Sequence, residues 1–196
     1  PVELIACPTA PAEAEQILVR LERLVGGTSS FALESGRGGD AELEGVGFGD
    51  VAVLVRTRAQ RGTILEALGR SGVPCRAVGE DEAHDPRSEK VAVMTMHAAK
   101  GREFDAVFVA GVEPGLVPLS AAGLDADEAE ERRLLYVAMT RARRLLVISY
   151  AARRRLFGQA LAGGPSPLLA GLPERSIIRR DAALPDRPRD RQLALW

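Results

Sequence analysis

The sequence predicts an α/β fold built on a mostly parallel sheet with helices on both faces. Three observations lead there. Apolar runs at 51–55, 91–96 and 106–110 are bounded by polar residues, the pattern of strands covered on both sides. Segments with helical periodicity alternate with such runs. The chain has 196 residues, 46% of them hydrophobic, which suffices for one domain with a real core.

Residues 2–6 read as the first strand. Pro11 suits the first turn of a helix, and Glu13 and Glu15 suit its positive end. Ala14, Ile17, Leu18, Leu21, Leu24 and Val25 carry the helical stripe, and Gly26 and Gly27 stop it. Residues 26–49 are rich in Gly, Ser and Glu and read as a long surface loop. Asp50 opens the strand at 51–55. A helix with Ile64, Leu65 and Leu68 follows and ends near Gly72 and Pro74. Residues 75–78 form a short strand and 79–90 a charged connection. After the strands at 91–96 and 106–110 comes a loop over 113–126 with Pro114, Gly115 and Pro118. One long helix is expected over 127–144, acidic at its start and basic at its end, as the helix dipole favours. Residues 145–150 close the sheet. Beyond Gly158 the chain is rich in Pro, Arg and Asp, so a domain over 1–158 and a flexible tail over 159–196 are expected.

The net charge is −1, so there is no bulk basic signal, and any nucleic-acid contact must come from a local patch. Of 26 basic residues only Lys90 and Lys100 are lysines. Cys7 and Cys75 are too few for a disulfide scaffold or a structural zinc site. No apolar run is long enough to span a bilayer, and nothing at the start reads as a signal peptide. A cytoplasmic protein with no membrane partner is the expectation.

In open parallel sheets, ligands sit beyond the carboxyl ends of the strands. Arg56 follows one strand there, and the segment from His97 through Lys100 and Gly101 follows another. Arg141 continues a helical stripe from Leu134 and Ala138. An arginine on a stripe that faces the core is costly without an anion, although a surface arginine at a helix end is an equal alternative. Two guanidiniums, Arg56 and Arg141, suit the outer face of a phosphate. The phosphate cradle G-x-x-x-x-G-K-[ST] is absent, so this chain can complete a nucleotide site but not build one. His97 alone fits a satisfied histidine better than a DNA contact, and Glu103 is either an acceptor for a sugar hydroxyl or simply solvated. The acidic run Asp127, Glu128, Glu130 and Glu131 reads as a solvated helix start rather than a metal site, and Glu128–Arg132 as a surface pair. His84 falls in a loop, and no Ser/His/Asp or Cys/His triad can be drawn.

Three segments carry a resemblance. "VAVLVRTRAQ" looks like motif IV of the UvrD/PcrA/Rep group of superfamily 1 DNA helicases. "VAVMTMHAAKGREFDAVFVAG" resembles motif V, "EERRLLYVAMTRARRLLVISYA" resembles motif VI, and the intervening "GVEPGLVP" also fits. The likeness covers roughly residues 1–158 and implies a second RecA-like domain that faces an N-terminal ATPase domain across ATP and Mg2+. It implies that Arg56 and Arg141 reach the γ-phosphate, with Arg141 as arginine finger. Glu103 would meet the ribose beside Gly101, and Thr95, His97 and Lys100 would run along single-stranded DNA. Two departures stand out. Val55 replaces the tyrosine that often stacks on adenine, and residues 79–90 replace a large helical insertion.

The last residues, Gln192, Leu193, Ala194, Leu195 and Trp196, resemble the bacterial sliding-clamp-binding pattern. Gln192 would anchor by hydrogen bonds while Leu193, Leu195 and Trp196 fill an apolar pocket. Three functions compete: the motor half of an ATP-dependent 3′-to-5′ DNA helicase, a non-enzymatic DNA- or protein-binding module on a degenerate helicase fold, and part of a helicase–nuclease. Intact Arg56, Glu103 and Arg141 favour the first, and the missing D-Y-K cluster after motif VI speaks against the third.

Overall fold

The computed structural model describes residues 2–26, 42–80, 82, 85, 88–120, 126–156 and 158–182. The clamp-like pentapeptide and His84 lie outside them.

Strand β1 (Val2–Cys7) leads into helix α1 (Ala10–Leu24). Thr9 caps that helix by accepting from the Ala12 amide, and Pro11 sits in its first turn, where the missing N–H costs nothing. Strand β2 (Val51–Val55) is followed by helix α2 (Arg61–Arg70), then strands β3 (Cys75–Ala77), β4 (Val91–Thr95) and β5 (Phe104–Ala110). Helix α3 (Glu128–Met139) precedes strand β6 (Ala142–Ala151). A small antiparallel hairpin follows, β7 (Arg154–Leu156) and β8 (Gln159–Leu161), and strand β9 (Ile177–Asp181) comes last.

Seven strands form one sheet in the order β3-β4-β2-β5-β6-β1-β9, and every pairing in it is parallel. Strands β2 and β4 are buried at every position, which explains their unbroken apolar runs. On one face, α1 and α2 lay Ile17, Leu18, Leu21, Leu24, Ile64 and Leu68 against Val51, Val53, Val93 and Phe108. On the other, Leu135 and Ala138 of α3 share a core with Met96, Ala98 and Ala99 of the crossover from β4 to β5, and with Leu168 and Leu169. The architecture is RecA-like, as the sequence predicts.

Two expectations are corrected. The helix expected over 127–144 stops at Met139, and Arg141 lies in the turn before β6. The backbone from Ala142 is drawn into the sheet, where Ala142 pairs with Phe104. The basic residues expected to complement the helix end therefore belong to a turn and a strand, and the last turn of α3 has none. The ordered fold also continues past Gly158. Residues 177–181 add β9 beside β1, from Val2↔Ile177 to Ala6↔Asp181. Parallel pairing there outweighs a composition that reads as tail.

Candidate nucleotide-facing and nucleic-acid-facing edges

Because all seven strands run the same way, the sheet has one amino edge and one carboxyl edge. The sequence-predicted residues divide between them.

At the amino edge, Arg141 is partly buried. Its Nε donates to the Val137 carbonyl (3.0 Å), Nη1 to the Arg102 carbonyl (3.2 Å) and Nη2 to the Thr140 hydroxyl (3.2 Å). No carboxylate among the described residues neutralises it. Neutral acceptors fix the guanidinium in place and leave its charge available to an anion. Arg102 lines an open cleft of about 330 Å3, together with Gly49, Asp50, Gly101, Glu103, Phe104, Asp105 and Arg143. Gly101 adopts φ 78°, a conformation suited to glycine, and lets the crossover turn into β5. Glu103 is exposed at the cleft mouth and accepts from Arg143 Nε at 3.1 Å. Glu103 and Gly101 flank Arg102, whose carbonyl Arg141 binds.

At the carboxyl edge, Arg56 follows β2 and forms a two-pronged ion pair with Glu131 at the start of α3. Nε lies 3.0 Å from both carboxylate oxygens, and Nη2 lies 2.6 Å from Oε1. The Arg56 and Glu131 side chains are 14% and 3% exposed. Glu131 also accepts from the Leu119 amide at 3.2 Å. The two arginines expected at one phosphate hold different parts of α3. Arg56 binds its fourth residue, Glu131, and Arg141 binds the carbonyl of Val137, about 9 Å further along the helix. Arg56 is moreover already neutralised, and the acidic start of α3 is not wholly solvated, since Glu131 is buried.

Thr95 lies at the end of β4. It is buried, and its hydroxyl accepts from the Ala98 amide at 3.2 Å, so it caps the crossover turn rather than facing outward. His97 and Lys100 are exposed on that turn and are tied to each other by Lys100 N donating to His97 O (3.2 Å). Arg58, which sequence reasoning passed over, is exposed beyond β2 and pairs with Glu80 at 3.4 Å.

A buried charge cluster at the same edge was also missed. Arg154 Nη2 donates to Glu13 and its Nε to Glu113, and all three side chains are almost fully buried. Glu13 also accepts from Ser149 Oγ at 2.7 Å and the Gly111 amide at 2.9 Å, and Glu113 from the Ala151 amide at 2.7 Å. Burial, with Glu13 adding repulsion, holds the Glu113 carboxyl above its ordinary range against the pull of Arg154. Burial opposes the charge on Arg154, but the two carboxylates win and its pKa rises. Burial and then the Glu13 charge push the Cys7 thiol up to about 12. These partners lie 141 and 41 residues apart in sequence, beyond the reach of any local motif. Among the described residues, no three His, Cys, Asp or Glu side chains converge as a metal ion would need, and no helix is long and apolar enough to cross a membrane.

The seven-stranded parallel sheet with helices on both faces defines a RecA-like α/β domain. Residues 79–153 match the model of the UvrD-like helicase C-terminal domain family. Over 101 residues the chain is 44% identical to DNA helicase II of Escherichia coli, covering 50% of this chain and 14% of that one. It is 41% identical over 107 residues to the ATP-dependent DNA helicase UvrD1 of Mycobacterium leprae, covering 54% and 14%. The chain therefore spans about a seventh of the length of these relatives. The solved C-terminal domain of a possible DNA helicase from Lactobacillus plantarum has the same fold, with TM-score 0.57 and 20% identity over 90% of this chain and 83% of that one.

Proposed function

We propose that this chain is the second motor domain of an ATP-dependent 3′-to-5′ DNA helicase, completed by an N-terminal ATPase domain of the same parent protein. The observation that supports it most is Arg141, a guanidinium fixed by neutral acceptors at the amino edge with no carboxylate on it. Its charge is directed to a partner outside the described residues. In this reading ATP, with its Mg2+, is held by the N-terminal domain and supplies the phosphoryl group that is transferred to water. Arg141 meets the γ-phosphate and stabilises charge that develops there, the role of an arginine finger. Glu103 accepts from the ribose at the mouth of the Gly101–Asp105 cleft. His97 and Lys100 contact the backbone of single-stranded DNA, and Thr95 holds the turn that presents them. Arg56 seats the start of α3 through its ion pair with Glu131. The terminal residues Gln192, Leu193, Leu195 and Trp196 would tether the motor to a sliding clamp and raise its local concentration there.

The test is Arg141→Ala in the parent enzyme. DNA-stimulated kcat should fall by about three orders of magnitude while KM for ATP changes far less. Near-normal kcat would remove Arg141 from the mechanism. The isolated chain should hydrolyse no ATP above a blank, since it has no phosphate cradle.

A further inference from the structure

Beyond the carboxyl end of β6, strands β7 and β8 pair as an antiparallel hairpin. Successive side chains on a strand point to opposite sides. In β7 this sends Arg154 inward, where Glu13 and Glu113 hold it with 7% of its side chain exposed. Arg153 and Arg155 are exposed instead. Neither forms an ion pair with a carboxylate among the described residues, and Arg155 donates only to the Gly158 carbonyl at 3.1 Å. The two nearest buried carboxylates are already spent on Arg154. The three arginines line a cleft of about 310 Å3 with Ala160 and Leu161.

Several contacts keep this hairpin in place. Leu161 packs over Gly115, and Ala152 N donates to Cys7 O at 2.7 Å. The hairpin therefore stands over the segment that follows β5, on the same edge of the sheet as Arg58 and His97. From β4, which delivers His97, to β6, which delivers the hairpin, the edge crosses three strand spacings, about 15 Å. That is the reach of a few nucleotides.

We propose that the hairpin 152–161 is a second contact site for single-stranded nucleic acid, in which Arg153 and Arg155 bind backbone phosphate while Ala160 and Leu161 floor a space for the adjoining sugar or base. The buried Arg154 cluster fixes the hairpin in advance, so binding need not order it. The inference rests on the DNA-binding reading above and extends the track beyond the family's three motifs.

The experiment is a fluorescence anisotropy titration of the 196-residue chain with a labelled oligothymidylate across a series of salt concentrations. Arg153→Ala/Arg155→Ala should weaken binding several-fold at low salt. It should also flatten the plot of log affinity against log salt by about 1.4, since each lost phosphate contact removes about 0.7 from the slope. His97→Ala/Lys100→Ala serves as the comparison, and thermal melts verify that both variants fold. If His97→Ala/Lys100→Ala weakens binding while the hairpin variant keeps the wild-type affinity and slope, the hairpin site is overturned and the DNA reading stands. If the wild-type chain shows no salt-dependent binding at all, both fall.

Discussion

Glu131 and Arg56, 75 residues apart in sequence, meet as a buried ion pair that ties the start of α3 to the end of β2. Removing one partner strands the other charge in a site that excludes water. Glu131→Ala should therefore destabilise the domain by about 3 kcal/mol. The double variant Arg56→Met/Glu131→Leu should recover most of that, because a matched apolar pair leaves no orphan charge. Urea unfolding of the three proteins measures both. Equal losses for the single and double variants would show that the carboxylate matters through Leu119, not through Arg56.

Glu3 and Arg20 make a second buried pair, at 2.7 Å, joined by Glu42 at 2.5 Å and Arg180 at 3.2 Å. Burial works to raise the Glu3 pKa, but hydrogen bonds and charge from Arg20 and then Arg180 prevail and hold it below its ordinary 4.5. A lowered folded-state pKa means that the unfolded chain takes up the proton first as pH falls. The stabilisation is complete above the unfolded value near 4.5 and is lost as pH drops through the lower folded value. Glu3→Gln should accordingly be less stable at neutral pH and show a shallower loss on acidification. Guanidinium melts at several pH values between neutral and acidic will show whether the two curves converge at low pH, and parallel curves would count against the pair.

The two cysteines should differ sharply in reactivity. Burial and the Glu13 charge push the Cys7 thiol to about 12, and Cys7 is only 2% exposed. Cys75 is partly exposed, and its pKa is raised by burial alone, with Lys90 pulling the other way. Alkylation at mildly basic pH should label Cys75 first and Cys7 only on unfolding. Peptide mapping by mass spectrometry reads the order, and simultaneous labelling would mean that α1 opens readily.

Glu103 and Arg143 pair on the surface, 52% and 59% exposed. Solvent weakens such a pair, so Glu103→Gln should leave thermal stability within about 0.5 kcal/mol of wild type. In the parent enzyme the same change should raise KM for ATP more than it lowers kcat, since a ribose contact acts alike in ground and transition states. A large stability loss would mark Glu103 as structural instead.

The strands were legible because burial on both faces leaves an apolar run with no period to misread, as at Val51 to Val55. Arg141 was legible as a candidate because it continues a helical stripe. The end of α3 was not legible. No Gly or Pro interrupts residues 134–144, and β6 opens with an intermediate and two exposed residues, Ala142, Arg143 and Arg144, which do not look like a buried strand. Only pairing with β5 decides their conformation. The Arg56–Glu131 pair was equally hidden, because its partners lie 75 residues apart in sequence. β9 was masked by its arginines, one of which, Arg180, finds Glu3 across 177 residues.

That last pairing has a kinetic consequence. Strand β1 lies between β6 and β9, so the beginning of the chain holds only distant partners in the sheet, from Leu146 onward on one side and Ile177 onward on the other. Contacts this far apart in sequence demand costly loop closure before they give anything back. During synthesis, β2, β3, β4 and β5 can assemble around α2 while β1 waits for residues that have not yet been translated. Within this domain β1 is thus made before either of its sheet partners and is among the last strands to find its place.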